Sequence, residues 1–86
     1  MSGDLQLRVR VLDAWDDIML TLPAATSVAS VKAQALAAAH VPGDQAAFLV
    51  KFRGAELSDE SRSLADVRVP TDAALIVMRR RRVPVR

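Results

Sequence analysis

The sequence contains no cysteine, no tyrosine, one tryptophan, two phenylalanines and three glycines among 86 residues. Without cysteine, a disulfide scaffold, a thiolate zinc site and thiol catalysis are excluded. His40 is the only histidine, so it has no second imidazole to help complete a transition-metal site. We therefore expect no metal, no cofactor and an aliphatic core.

Long apolar stretches are also missing. No run approaches the ~20 residues that a helix needs to cross a bilayer. The first ten residues, MSGDLQLRVR, lack the apolar segment of a signal peptide. These two features predict a cytoplasmic protein without a membrane span.

The length favours a single domain. With 86 residues, of which 51% are hydrophobic, the chain can form one thin core but has little room for a deep pocket. We assign residues 1–82 to this domain and residues 83–86 to a basic C-terminal tail, and we expect a monomer.

Positive charge is concentrated at the end of the sequence. Lysine and arginine total 12, aspartate and glutamate total 10, and the net charge is +2. The arginines of the last eight residues are Arg79, Arg80, Arg81, Arg82 and Arg86. Such a run can contact phosphates, although no aromatic stacking platform accompanies it. Nucleic acid, or another anion, is therefore an alternative ligand.

The first half of the chain has the pattern of a β-hairpin followed by a helix. Apolar and polar residues alternate over 5–12 and again over 18–22, and turn-forming residues occupy 13–16. Ser27 is a typical helix N-cap, and apolar residues at helical spacing predict a helix over 28–40.

The second half is dominated by short strands. Pro42-Gly43 ends the predicted helix, and alternation over 48–53 predicts a third strand. A short strand at 56–57, one helical turn at 64–67 and a last strand at 74–79 follow. A single helix can cover only one face of one sheet, which predicts an α+β domain.

This order of elements, together with local matches, resembles ubiquitin and the β-grasp superfamily. The most telling stretch is SVASVKAQALAAAHVPGDQ, residues 27–45. Further matching positions are Phe52, Gly54, Leu57, Asp59, Leu64, Asp66, Leu75, Val77 and Arg80. The resemblance implies a mixed sheet of four to five strands with one α-helix packed on one face.

The ending of the chain departs from the modifiers of this superfamily. Conjugated modifiers and sulfur carriers end in Gly-Gly, whereas this sequence ends in VPVR. The resemblance therefore implies a non-covalent ubiquitin-like protein-binding module, acting as an adaptor or subunit of a larger assembly; a degenerate modifier or sulfur carrier is a weaker alternative. The arginine- and alanine-rich composition suggests a bacterial source, and the small ubiquitin-like proteins that accompany type VII secretion systems are similar in lacking Gly-Gly.

Strand parity predicts a sheet face that points away from the helix. Its predicted partner-binding residues are Arg8, Arg10, Leu49, Lys51, Arg53, Ile76, Met78 and Arg80. Met19 and Thr21 share this face by parity. Five of the predicted binding residues are arginine or lysine and none is acidic, so we expect five cations and no anion on this face. It is either an ordinary solvated face with snorkelling arginines or a docking face for an acidic, partly apolar protein.

Two other positions need separate interpretation. Trp15, at the hairpin tip among aspartates, is either a binding anchor or a side chain that folds back over the hairpin or fills a gap near the sheet edge. Lys32 is implied by the resemblance to form a structural ion pair with Asp59.

Catalytic residues are not evident in the sequence. Ser58, Ser61 and Ser63 are loop serines without a neighbouring base, and Asp59-Glu60 is typical of a solvated turn. No glycine-rich phosphate loop is present. We expect the protein not to be an enzyme.

Overall fold

The computed structural model describes residues 4–80. They form strands and one helix in the predicted order, with one additional 3₁₀ turn. The elements are β1 (Asp4–Val11), β2 (Asp16–Pro23), α1 (Val28–Ala38), the 3₁₀ turn (Gln45–Ala47), β3 (Phe48–Phe52), β4 (Ala55–Glu56) and β5 (Ala73–Arg79). The predicted boundary between residues 82 and 83 lies outside the described residues.

All five strands belong to one mixed sheet with the order β2-β1-β5-β3-β4. The β1–β2 hairpin is antiparallel, β5 lies parallel to β1, and β3 is antiparallel to β5. The strands from the two halves of the chain therefore meet at the centre of the sheet, and the predicted α+β class is confirmed.

The helix packs on one face of this sheet because its apolar side chains lie on one stripe. Val28, Val31, Ala35 and Leu36 are buried there against aliphatic residues of the strands. The strand residues on this face are Leu7, Val9, Val11, Phe48, Val50, Ala73, Leu75 and Val77, all buried. Burial of this layer supplies the main driving force for folding.

The two ends of α1 have different caps. At the start, the hydroxyl of Ser27 accepts a hydrogen bond from the Ser30 N–H at 3.1 Å, which confirms the predicted N-cap. At the end, the predicted helix is two residues too long. His40 has a φ of 58° and, with Val41, donates back to the Ala37 and Leu36 carbonyls, which closes the helix before Pro42.

The predicted helical turn at 64–67 is present as a run of hydrogen-bonded turns. The Val67 N–H donates to the Ser63 carbonyl at 3.2 Å, which is the bond of a single helical turn, and the Asp66 N–H donates to the Ser63 hydroxyl at 3.1 Å. Leu64 is fully buried, so this segment is held by its contact with the core.

Candidate protein-binding surface

The sheet face opposite α1, which we call the open face, is not covered by any element among residues 4–80. Because paired residues share a face, the strand register defines its members. They are Gln6, Arg8 and Arg10 of β1; Asp17, Met19 and Thr21 of β2; Leu49 and Lys51 of β3; Glu56 of β4; and Ala74, Ile76 and Met78 of β5.

One row of side chains crosses all five strands at the middle of the open face. In strand order from one edge to the other, the row is Glu56, Lys51, Ile76, Arg10 and Asp17. Ile76 therefore stands at the centre of the sheet between two cations, and each cation has an acidic neighbour on its outer side.

An apolar strip runs along β5 through this row. Ile76 is 36% exposed, and Met78 is half-buried beside Leu49, its partner in β3. Met19 is more exposed, at 65%, but it stands on β2 opposite Arg8 and is separated from the strip by β1. The exposed apolar surface is therefore small and centred on Ile76.

The prediction of five cations and no anion on this face is wrong. Arg10 Nε lies 2.9 Å from Asp17 Oδ1, and Arg80 Nη1 lies 3.0 Å from Glu56 Oε2. The presence of Asp17 on this face was accessible from the sequence, because position 17 has the same parity as Met19 and Thr21. Its pairing with Arg10 was not, because the turn lies at residues 12–15 and not at 13–16. Within the described part of the chain, Arg8 and Lys51 have no ion-pair partner.

The Arg10–Asp17 contact changes the acid–base behaviour of both groups. The hydrogen bond from the Arg10 guanidinium, with a smaller contribution from the charge of Arg8, lowers the pKa of the Asp17 carboxyl below its ordinary value. The same hydrogen bond raises the pKa of Arg10. The contact therefore favours the charged form of both groups.

Arg53 and Arg80 each lie one residue beyond the end of the strand to which they were assigned, β3 and β5 respectively. Arg53 follows the end of β3, in a turn where its φ is 55° because the chain reverses toward β4. Its guanidinium carbon lies 5.3 Å from the centre of the Phe52 ring, and it lines a shallow depression together with Ile76. Arg53 thus borders the open face without being part of a strand.

Arg80 is held at the edge of the sheet by several contacts. Its backbone N–H donates to the Ala47 carbonyl at 2.7 Å, and its Nε donates to the Ala46 carbonyl at 3.1 Å. Together with the pair to Glu56, these bonds fix the guanidinium over the 3₁₀ turn and β4. Arg80 therefore links the end of β5 to the 3₁₀ turn and to β4, and its charge is already paired with Glu56.

Arg79 is also engaged within the protein. Its Nη2 donates to Asp13 Oδ2 at 2.7 Å, and its guanidinium carbon lies 4.7 Å from the centre of the Phe48 ring. Residues 81–86 lie outside the described residues. The two arginines of the basic run that are described both bind intramolecular partners.

The predicted ion pair between Lys32 and Asp59 is wrong by one residue. Lys32 Nζ lies 2.6 Å from Glu60 Oε1 and donates to the Phe48 carbonyl at 3.1 Å. Asp59 instead accepts hydrogen bonds from the N–H and the hydroxyl of Ser61, and these bonds lower the pKa of its carboxyl. The loop turns at Asp59, so the side chain of Glu60, the next residue, points toward Lys32.

Trp15 is a highly exposed side chain at the hairpin tip. It is 82% exposed and has a φ of 51°, in the left-handed region that bulky residues rarely adopt. The alternative in which the indole folds back over the hairpin is therefore wrong. Its neighbours Asp13 and Asp17 are paired with Arg79 and Arg10.

Groups suited to other chemistry are not assembled in the described region. No cluster of three histidine, cysteine or carboxylate side chains that could hold a metal ion occurs in residues 4–80. Nor does any helix within those residues have the length and hydropathy to cross a membrane. His40 is exposed at the end of α1.

Comparison with known proteins identifies the fold. No family model matches the sequence, and no curated protein matches it. The structure is similar to Caldiarchaeum subterraneum ubiquitin, with a TM-score of 0.77, 13% identity and coverage of 95% of this chain and 100% of that one. For the ubiquitin-like domain of an Arabidopsis thaliana protein, the TM-score is 0.75 at 14% identity, covering 96% of this chain and 84% of that one.

A designed protein based on ubiquitin is also similar, with a TM-score of 0.78 and 14% identity, and the match covers 98% of each chain. All of these identities are low, so the similarity lies in the arrangement of the five strands and the helix. The chain has the ubiquitin-like β-grasp fold.

Proposed function

We propose that this chain is a non-covalent protein-binding module that docks an acidic, partly apolar partner on its open face. The observation that carries the proposal is the position of Ile76. It is an exposed aliphatic side chain at the centre of the sheet, with Lys51 on one side and Arg10 on the other. A small apolar centre with a charged rim is the anatomy of many protein interfaces.

The charges of the open face indicate which partner groups fit. Asp17 already neutralises Arg10, whereas Lys51 and Arg8 have no acidic partner within residues 4–80. A docking protein would place carboxylates near Lys51 and Arg8 and an apolar side chain on Ile76. Such charges act mainly on encounter rate and specificity, while the apolar centre supplies affinity.

The mode of action that we propose is non-covalent and non-enzymatic. The support for a non-covalent mode is that the glycines of these 86 residues, Gly3, Gly43 and Gly54, are never adjacent, whereas adenylated modifiers carry a Gly-Gly pair. We further propose an adaptor role in a bacterial, cytoplasmic assembly, for which the sequence resemblance to the small proteins of type VII secretion systems is the support.

The test is affinity capture with matched variants. The wild-type chain, Ile76→Ser and Trp15→Ser would each be used to capture proteins from a native lysate treated with nuclease. We expect Ile76→Ser to weaken binding of the captured protein about tenfold, because losing a central apolar anchor removes more than about 1 kcal/mol. Trp15→Ser should bind as the wild type does.

If Trp15→Ser weakens binding and Ile76→Ser does not, the docking site lies at the hairpin tip and not on the open face. Reversal of the two unpaired cations, in the Arg8→Glu/Lys51→Glu variant, should slow association and reduce its salt dependence. If Ile76→Ser and this reversal both bind at wild-type strength, the open face is not the docking site.

Anion binding through the arginine run has less support. Arg79 and Arg80 are both engaged in intramolecular pairs, so fewer arginines of the run are available for phosphates than the sequence suggests. Loss of all capture after nuclease treatment would favour this alternative over a protein partner.

A further inference from the structure

Strand β2 forms an edge of the sheet that is open along its whole length. It contains eight residues and pairs only with β1 among residues 4–80. Its outer side therefore presents a row of backbone N–H and C=O groups that a further strand can bind. The opposite edge strand, β4, has only two residues and offers no comparable template.

The centre of β2 lacks the features that usually prevent strand addition. Residues 18–22 read IMLTL and contain no charge, proline or glycine. Lysines, prolines and inward-pointing charges are the residues that usually prevent a further strand from pairing with an edge strand. In β2 such residues occur only at the two ends, as Asp16 and Asp17 at the start and Pro23 at the end.

The helix side of β2 is also incompletely covered. The inward residues of β1 and β5 are largely buried, but Ile18, Leu20 and Leu22 of β2 are only half-buried. The packing of α1 leaves part of these three side chains exposed beside the open edge. A strand added there would extend the core and cover them.

We propose that β2 pairs antiparallel with β2 of a second copy of this chain, with Leu20 at the two-fold axis. In this register Ile18 lies opposite Leu22 of the second copy, so all three half-buried side chains of each copy meet an apolar neighbour. Centring the pair on Met19 would instead place Leu22 opposite Asp16. The Leu20 register is therefore the better match.

The charges of the edge fit an antiparallel pair of identical strands. Asp17 lies opposite Pro23 of the second copy, and the two Asp17 residues are separated by six residue steps, or about 20 Å. That distance exceeds the screening length of about 8 Å at physiological ionic strength. The acidic ends thus do not oppose association. The self-complementary register of Ile18, Leu20 and Leu22 favours a second copy over an unrelated strand.

Pairing would join the two five-stranded sheets into one continuous sheet. Because the two-fold axis is perpendicular to the sheet, both open faces would point in the same direction. The dimer would replace the monomer that we predicted from the sequence and would present two copies of Ile76 on one surface. A partner with two matching motifs would then gain avidity.

Sedimentation of the full chain over a concentration series tests the dimer. We expect a shift from monomer to dimer with rising concentration. The Met19→Lys/Thr21→Lys variant should raise the dissociation constant roughly tenfold, because it places two like-charged pairs across the seam. Gln6→Lys/Ala74→Lys is the matched control, since it also adds two positive charges to the same face but on the interior strands β1 and β5.

Amide hydrogen exchange at low and high protein concentration locates the contact. Dimerisation through β2 should protect those amides of β2 that do not bond β1, and it should leave the amides of β5 unchanged. A chain that stays monomeric at millimolar concentration would overturn the proposal. So would a dimer that alters only β5, or protection of β2 that develops only when another protein is added.

Discussion

Lys32 and Glu60 form a largely buried ion pair, in which Nζ lies 2.6 Å from Oε1 and the two side chains are 3% and 18% exposed. The ammonium also donates to the Phe48 carbonyl. The pair therefore ties α1 to the start of β3 and to the loop that follows β4. The second oxygen, Glu60 Oε2, has no hydrogen-bond partner among the described residues, and Arg80 Nη2 lies 4.0 Å from it.

The first prediction concerns this pair. Glu60→Gln removes the anion and leaves the Lys32 ammonium buried without a countercharge, so we expect the free energy of unfolding to fall by about 3 kcal/mol. Urea denaturation monitored by circular dichroism measures the change. Asp59→Asn is the matched control and should have a smaller effect. Equal losses in both variants would show that the loop does not distinguish the two carboxylates.

The second prediction concerns the helix–sheet core. Val31 of α1 and Val77 of β5 are both fully buried. Truncation of either to alanine removes buried methyl groups and leaves a cavity, which should destabilise the fold by about 1–3 kcal/mol. Denaturation midpoints report the loss. Gln34→Ala, on the exposed side of the helix, should stay within about 0.5 kcal/mol of wild type.

The third prediction separates two residues of the apolar strip. Ile76→Ser should lower the free energy of unfolding by about 1 kcal/mol or less, since the side chain is exposed. Met78 is half-buried, so Met78→Ser should cost more, roughly 1–2 kcal/mol. Thermal unfolding of the single variants distinguishes them. A larger loss for Ile76→Ser would contradict the exposure of the open face.

The fourth prediction is a dependence of stability on pH. In the folded state the pKa of Asp17 is lowered by Arg10, and that of Asp59 is lowered by Ser61. These carboxylates stabilise the fold above the ordinary aspartate pKa of about 3.9, and the stabilisation disappears as the pH falls through their lower folded values.

Urea midpoints at pH 7 and at pH 3 measure this effect. Asp17→Asn and Asp59→Asn should each show a smaller difference between the two pH values than the wild type does. Asp16→Asn is the control, because Asp16 has no ion pair among residues 4–80. An unchanged pH dependence in both test variants would refute the role of these contacts.

The sequence predicted the hairpin, the helix, the order of elements along the chain and the core because those features follow from local periodicity. Alternation over 5–12 and 18–22 defines which side chains face α1, and Val31 and Val77 are buried as their patterns require. The Ser27 cap was accessible for the same reason, since its hydroxyl reaches only three residues along the chain.

Two of the errors arose where a side chain's partner is distant in sequence. Parity placed Arg80 on the open face as a free cation, but its guanidinium binds Glu56, an anion of that face, and the Ala46 carbonyl. The choice between Asp59 and Glu60 depends on a loop conformation that periodicity does not report. Arg53 was misplaced because the strand ends one residue earlier than the alternation does.

The parallel pairing of β1 with β5 has a consequence for the kinetics of folding. Leu7 pairs with Ala73, and Val11 pairs with Val77, so each of these contacts closes a loop of 66 residues. The hairpin and α1 can form early from local contacts, whereas the centre of the sheet must wait for β5. During synthesis, the early elements would therefore expose apolar side chains until residue 79 has left the ribosome, a period in which a chaperone or a second chain could bind them.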